Sequence, residues 1–311
     1  MLSPAEILKE LQASLDFLET SRRDVPARQR SLRAAFESSW NLLGRREAEL
    51  FNALSIFKNG FTRQAAEAVM GTGLRELAAL EQKSLLQPQS NGRYTIHPLL
   101  GEFAAERLRL DPPAWQQAAG RHCTYFLDFV GEAASPMRGH DQRAAFAAVQ
   151  ADQENILAAW DWAVENHQFE LVDKAIFGLF LYFNLGAYRP DQDAILDRAI
   201  QALESSQQPG DFKNLLLVKL LTLRAGASYE FSSNWTAELL QRARELVRRA
   251  GGERQIGFFY SLLAMNYAQR VDREEGLEML HASLELHRQA GDDWSTALAL
   301  RMLGGIHRFS G

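Results

Sequence analysis

Apolar residues recur at helical spacing along nearly the whole chain. Ser3, Pro4 and Glu6 supply an N-cap, a first helical residue and a capping-box acid. Behind them Ile7, Leu8, Leu11, Leu15 and Leu18 form one stripe. Residues 21–29 are polar, contain Pro26, and read as a linker. Ser31 opens a second helix whose Leu32, Ala35, Phe36, Ser39, Trp40 and Leu43 share a face, and Gly44 stops it. A helix is predicted from Glu47 to Leu54, then a short strand over Ser55-Ile56-Phe57 and a turn at Asn59-Gly60. Thr62 caps a helix through Val69-Met70, ended by Gly71. Gly73 to Ser84 is a further helix, with Leu74, Leu77, Leu80 and Leu85 spaced for burial. Leu85-Leu86 and Tyr94-Thr95-Ile96 are placed to pair as a hairpin whose turn holds Asn91-Gly92. Pro98 suits the first position of the next helix, which continues through Leu99, Leu100, Phe103, Ala104 and Leu108.

Beyond Asp111-Pro112-Pro113 no strand pattern occurs. Long helical patterns cover Trp115 to Ala133 and Arg143 to Asn166. After Glu170 the chain repeats itself. Residues 192–199, 236–243 and 276–283 align, with Leu196, Leu240 and Leu280 in register. The preceding helices align as well: Leu220, Leu223 and Ala227 with Tyr260, Leu263 and Tyr267, then with Leu300, Leu303 and His307. Helix pairs of about 40 residues cannot bury their apolar faces alone and stack into a superhelix. Small residues at Ala264 and Gly304 match the tetratricopeptide pattern, whereas Arg224 departs from it. Ala-Gly-Gly at 250–252 and Ala-Gly-Asp at 290–292 end the second helices. The expected fold is mostly α: a winged-helix domain with a small β-hairpin, followed by an α-solenoid of tetratricopeptide-like helix pairs. The expected boundaries are an N-terminal helix and linker at 1–30, the winged helix at 31–110, a helical connector at 111–170 and repeats at 171–311. The repeat array stops in mid-repeat, so the chain is expected to be a fragment of a longer protein.

Composition narrows the partners. A net charge of −5 in 311 residues argues against a nucleic-acid or membrane surface. The single cysteine, Cys123, excludes an internal disulfide and fits a reducing, cytoplasmic setting. The N-terminus has no signal-peptide pattern, and no apolar run is long enough to span a membrane. A DNA-reading role for the helix at 74–83 is disfavoured, because Arg75 and Lys83 are offset by Glu76 and Glu81. His122-Cys123 lacks further metal ligands nearby, and no metal site is expected. No nucleophile–base set converges, so no catalytic residue is nominated.

One residue carries a chemical expectation. His97 sits where a strand hands over to a helix N-terminus, where unsatisfied N–H groups and the helix dipole favour anions. A neutral imidazole there can give one N–H to a phosphate. For the repeats, the first helix of each pair lines the concave face, with candidate partner-binding residues Val218, Leu221, Ala225, Phe258, Ser261, Met265 and Gln269. About half are expected to be exposed and the rest to belong to the inter-repeat core.

Several segments in order resemble bacterial STAND-type signalling ATPases of the NB-ARC group: residues 24–43, residues 54–62, and Lys83-Ser84-Leu85-Leu86 followed by His97-Pro98-Leu99-Leu100. Residues 153–160 are similar to the segment leading into the tetratricopeptide arrays of that group. The resemblance implies the C-terminal half of such a protein, a regulator in which His97 touches the β-phosphate of ADP bound to an upstream domain. Pro98 replaces the aspartate frequent after this histidine, and Gln29 a frequent histidine. No Gly-x-x-x-x-Gly-Lys-Ser/Thr occurs, so this chain is expected to be no enzyme and to hold no cofactor, with ADP or ATP bound only in the full-length protein. A partner protein or small inducer on the repeats is expected. A free-standing tetratricopeptide adaptor is the alternative reading, and a winged-helix DNA-binding regulator a third.

Overall fold

The computed structural model describes residues 37, 40–186, 192–208, 210–227 and 234–308. The expected helix at 3–18, the linker at 21–29 and most of the helix from Ser31 lie outside these residues. The described chain is mostly helical with one three-stranded sheet. It divides into two compact units: residues 1–130 with 148–162, and residues 131–147 with 163–311.

In the first unit α1 (Arg45–Leu54) precedes β1 (Phe61–Thr62), α2 (Arg63–Met70) and α3 (Leu74–Gln82). Then come β2 (Gln87–Pro88), β3 (Arg93–Thr95) and α4 (Pro98–Arg109). The sheet order is β1-β3-β2, all antiparallel, with Phe61 opposite Tyr94 and Gln87 opposite Thr95. Thr62 caps α2 as predicted, its Oγ1 accepting from the Ala65 N–H at 3.1 Å, and Gly71 ends the helix in the left-handed region.

Two strand predictions are corrected. Ser55-Ile56-Phe57 is not a strand: it unwinds the end of α1, with the N–H groups of Ser55, Ile56 and Phe57 bonding back three residues. Asn59 and Gly60 then both take positive φ, so extended backbone begins only at Phe61. A β-carbon on Gly60 would fall 2.7 Å from the Tyr94 carbonyl oxygen, so the turn needs glycine. The hairpin partner of β3 is Gln87–Pro88, not Leu85-Leu86. Successive strand residues face opposite ways, but Leu85 and Leu86 are both buried and anchor the turn to the core. Pro88 is tolerated because β2 is an edge strand.

α5 (Pro112–Met137) starts on Asp111, whose Oδ1 accepts from the Ala114 N–H. The single helix predicted over 143–166 is two, α6 (Gln142–Ala151) and α7 (Gln153–Glu165), broken at Asp152. α5 and α7 supply residues to both units.

The second unit continues with α8 (Phe169–Asn184), α9 (Gln192–Ser205), α10 (Gly210–Ala227) and α11 (Asn234–Ala250). It ends with the short α12 (Glu253–Ile256), then α13 (Phe258–Arg270), α14 (Arg273–Ala290) and α15 (Asp293–Arg308). α10 packs on α9 and α11, and α14 on α13 and α15. The repeat leucines Leu196, Leu240 and Leu280 are all buried, and Gly251 and Gly291 take the left-handed conformation that ends α11 and α14. Arg224, which breaks the small-residue pattern, is accommodated by Asp197 at 2.9 Å, Asp193 at 3.2 Å and the face of Trp235.

Candidate functional site

His97 is the N-cap of α4, as the handover from β3 predicts. Its carbonyl accepts from the Gly101 N–H at 2.9 Å, but its side chain makes no capping bond. Pro98 at the first helical position has no N–H to leave unsatisfied at this helix end. The imidazole is exposed, free of hydrogen bonds within the described residues, and offers two ring nitrogens to whatever lies outside them.

The strand that presents His97 is held by a buried polar cluster that sequence reading did not find. Arg93 of β3 forks onto Asp152, with Nη1 3.0 Å from Oδ2 and Nη2 2.7 Å from Oδ1. Nη2 also donates to the Gly60 carbonyl at 3.0 Å. Asn155 of α7 completes the cluster: Nδ2 donates to the Gly60 carbonyl and to Asp152 Oδ1, both at 3.0 Å. Its Oδ1 accepts the Lys58 N–H at 2.7 Å and faces His122 Nε2 at 3.2 Å. Asn155 is fully buried, and Arg93, Asp152 and His122 are all less than a tenth exposed. Burial pushes the His122 imidazole down to about 4, against the opposing pull of Asn155 and Asp152, with the Lys58 charge adding to the depression. The ring is therefore neutral at pH 7, and Nε2 must carry the proton to satisfy Asn155 Oδ1. Phe57 and Phe126 pack on the same ring at centroid distances of 5.4 and 4.6 Å. The signal in the sequence was Asp152 and Asn155 three apart, one helical turn, beside an arginine in a strand; nothing local pairs residues 59 positions apart.

His122 thus serves a hydrogen bond, and burial raises the Cys123 thiol to about 12. Among the described residues no group of three or more His, Cys, Asp or Glu could hold a metal ion. Lys83, at the C-cap of α3, pairs with Glu47 of α1, and Glu76 of α3 pairs with Arg46 of α1, so these charges are already engaged.

The candidate partner-binding residues are mostly core. Val218, Leu221 and Ala225 of α10 are fully buried, and Phe258 and Ser261 of α13 are buried too. Met265 is half-buried, and only Gln269 is exposed. The expectation that about half would be exposed is therefore corrected. α13 packs against α10, α11, α14 and α15, which leaves little of it uncovered. Ser261 instead joins a buried chain, its Oγ 2.8 Å from His287 Nε2 and 3.0 Å from Ser283 Oγ.

No family model matches the chain. Curated relatives from Mycobacterium bovis and two strains of Mycobacterium tuberculosis, provisionally named HTH-type transcriptional regulators, are each 25% identical over 97% of this chain. The chain spans about a third of their length, 35%. Among solved structures, a Signal Transduction ATPase with Numerous Domains (STAND) protein with a tetratricopeptide repeat sensor, from Pyrococcus horikoshii, is similar at 15% identity. That match covers 99% of this chain and 54% of the other, with a TM-score of 0.30. No helix among the described residues is long and apolar enough to cross a membrane.

Proposed function

We propose that this chain is the regulatory portion of a larger, nucleotide-switched signal-transduction protein. Its first unit acts as a winged helix that presents His97 to an ADP- or ATP-binding domain outside this chain. Its second unit acts as a tetratricopeptide-type sensor for a partner or small ligand. The observation that carries the reading is the exposed imidazole of His97, which follows the strand held by the Arg93–Asp152–Asn155 cluster and which no neighbour among the described residues engages. The order of helix, strand, two helices, hairpin and helix supports the winged-helix assignment, and the regularly buried Leu196, Leu240 and Leu280 support the repeats. Relatives named as regulators, matched over a third of their length, support a role as one part of a longer protein.

The residues fit a nucleotide only in part. One imidazole can donate a hydrogen bond to a phosphate oxygen, while the sequence holds no glycine-rich phosphate loop to cradle the rest. In this reading any nucleotide hydrolysis belongs to the nucleotide-binding domain proposed above. Ligand binding on the repeats must favour one arrangement of the whole protein by a few kcal/mol to shift its population usefully.

The test uses the protein at its full genomic length. The purified protein is expected to carry bound adenine nucleotide, released on denaturation and measured by chromatography. His97→Ala is expected to lower the retained ADP several-fold and to raise basal signalling. Full nucleotide occupancy in the His97→Ala protein overturns the phosphate contact, and an open reading frame without a phosphate-loop motif upstream overturns the switch, leaving a free-standing adaptor.

A further inference from the structure

The second unit gathers five aromatic rings that the repeat pattern does not demand: Phe177 and Phe180 of α8, Phe258 and Phe259 of α13, and Trp294 of α15. Phe177 lies 5.5 Å from Phe258, 6.0 Å from Phe259 and 6.0 Å from Trp294, centroid to centroid, and Phe258 lies 5.4 Å from Trp294. Beside them is a cavity of about 210 Å³ walled by Phe177, Phe258 and Phe259 and by two isoleucines. Four charged side chains also reach it: Arg138, Lys219, Asp173 and Asp292.

All four have a partner of opposite charge, the pair of Arg138 with Asp292 being the loosest. Lys219 Nζ bonds Asp173 Oδ1 at 2.7 Å. Asp292 caps α15, its Oδ1 accepting the Ser295 N–H at 3.0 Å and its Oδ2 the Ser295 hydroxyl at 2.7 Å. Arg138 differs. Its guanidinium is stacked 5.3 Å from the Phe177 centroid and 5.4 Å from that of Trp294. Its Nε donates to the Ala134 carbonyl at 3.3 Å, but Nη1 comes no closer than 4.0 Å to Asp292. Among the described residues neither terminal nitrogen has a hydrogen bond, on a side chain that two rings hold in place. A planar guanidinium held this way presents a fork that matches a carboxylate bidentately. A dianionic phosphate would be repelled by Asp173 and Asp292 about twice as strongly as a single carboxylate on the fork, which favours the monoanion. The volume lies below the usual span of drug-sized pockets, so the ligand is small, and the aromatic walls favour a flat ring.

We propose that this cavity binds a small aromatic carboxylate, its carboxylate on the Arg138 fork and its ring against Phe177, Phe258 and Phe259. The site names the ligand class of the sensor proposed above; only its regulatory consequence rests on that reading.

Binding is measured on this chain by isothermal titration calorimetry with benzoate and indole-3-acetate, their neutral amides, and ringless pentanoate. At least one aromatic acid is expected to bind saturably, with its amide and pentanoate each at least about tenfold weaker. Arg138→Met, which keeps the stem between the rings, is expected to cost at least about tenfold, and Arg138→Lys less. An amide or pentanoate that binds as well as the aromatic acid overturns the proposal, as does unchanged affinity in Arg138→Met or no heat from either acid at millimolar concentration. Should Arg138→Met fail to fold, the probe series on the unaltered chain decides. Aromatic acids that bind here but leave nucleotide exchange in the full-length protein unchanged would refute the sensor reading and leave the site standing. No binding, with His97→Ala still releasing ADP, would refute the site alone.

Discussion

Protonation of His122 is expected to destabilise the first unit as pH falls. The ring is buried, and its value drops from 6.5 to about 4 in the fold. Between those two values the unfolded chain binds a proton that the folded chain does not. The stabilising contribution is therefore complete above about 6.5, is lost progressively as pH falls, and is gone below about 4. At about 1.36 kcal/mol per unit, the full loss is about 3 kcal/mol, most of it incurred by pH 4.5. That is a large share of the stability of a domain of ordinary size. Many carboxylates titrate over the same range, so the comparison is between the natural chain and His122→Gln, which cannot gain a charge. Urea unfolding followed by hydrogen exchange at the amides of α5 and α7, at pH 7 and pH 4.5, isolates the difference. The natural chain should lose about 2–3 kcal/mol more than the variant on acidification. NMR of histidine labelled at the Cε1 carbon, with the His122 signal assigned by its absence in the variant, gives the midpoint directly. A folded-state midpoint at or above 6, or equal acid sensitivity of the two proteins, refutes the burial argument.

Two further perturbations test the packing on which the candidate site depends. Asp152→Asn leaves the Arg93 guanidinium buried without its charge partner, and a loss of about 3–5 kcal/mol is expected, with faster amide exchange in β3 and at the start of α4; Arg93→Met with Asp152→Leu should recover much of it, and an effect of Asp152→Asn within about 0.5 kcal/mol would refute the clamp. Gly276→Ala drives a β-carbon into the backbone nitrogen and α-carbon of Ala268, so α13 and α14 must separate. A loss of about 1–3 kcal/mol or more is expected in thermal unfolding of the second unit, and an unchanged melting temperature would show that the helices are not so close.

The clamp also bears on how the sheet presents His97. Gly60, Arg93 and Asn155 come from a turn, a strand and a helix far apart in the chain, and their hydrogen bonds tie the sheet to α7. Because Asn155 bonds both the Lys58 N–H and the Gly60 carbonyl, replacing it would remove two part-buried backbone hydrogen bonds at once, leaving the carbonyl only the Arg93 donor. The placement of β3, and of His97 two residues after it, thus depends on side chains at positions 152 and 155.

Local patterns were legible from the chain alone. The Thr62 cap, the Gly71 stop, Pro98 at the start of α4, the Gly92 turn and the burial of Leu196, Leu240 and Leu280 follow from propensity and period, which act over a few residues. His97 could be located at a helix start for the same reason. Where local preference was divided, the sequence misled: Ser55-Ile56-Phe57 is β-prone, yet the backbone bonds ending α1 and the positive φ of Asn59 and Gly60 delay the strand. Tertiary structure alone decided the rest. Burial of Ser261 and Val218 depends on how many helices surround α13 and α10, which no spacing reveals. Arg93 with Asp152, and Arg138 with its rings, are paired across long stretches of chain, because their charges meet only after folding has removed the water that would otherwise have screened them.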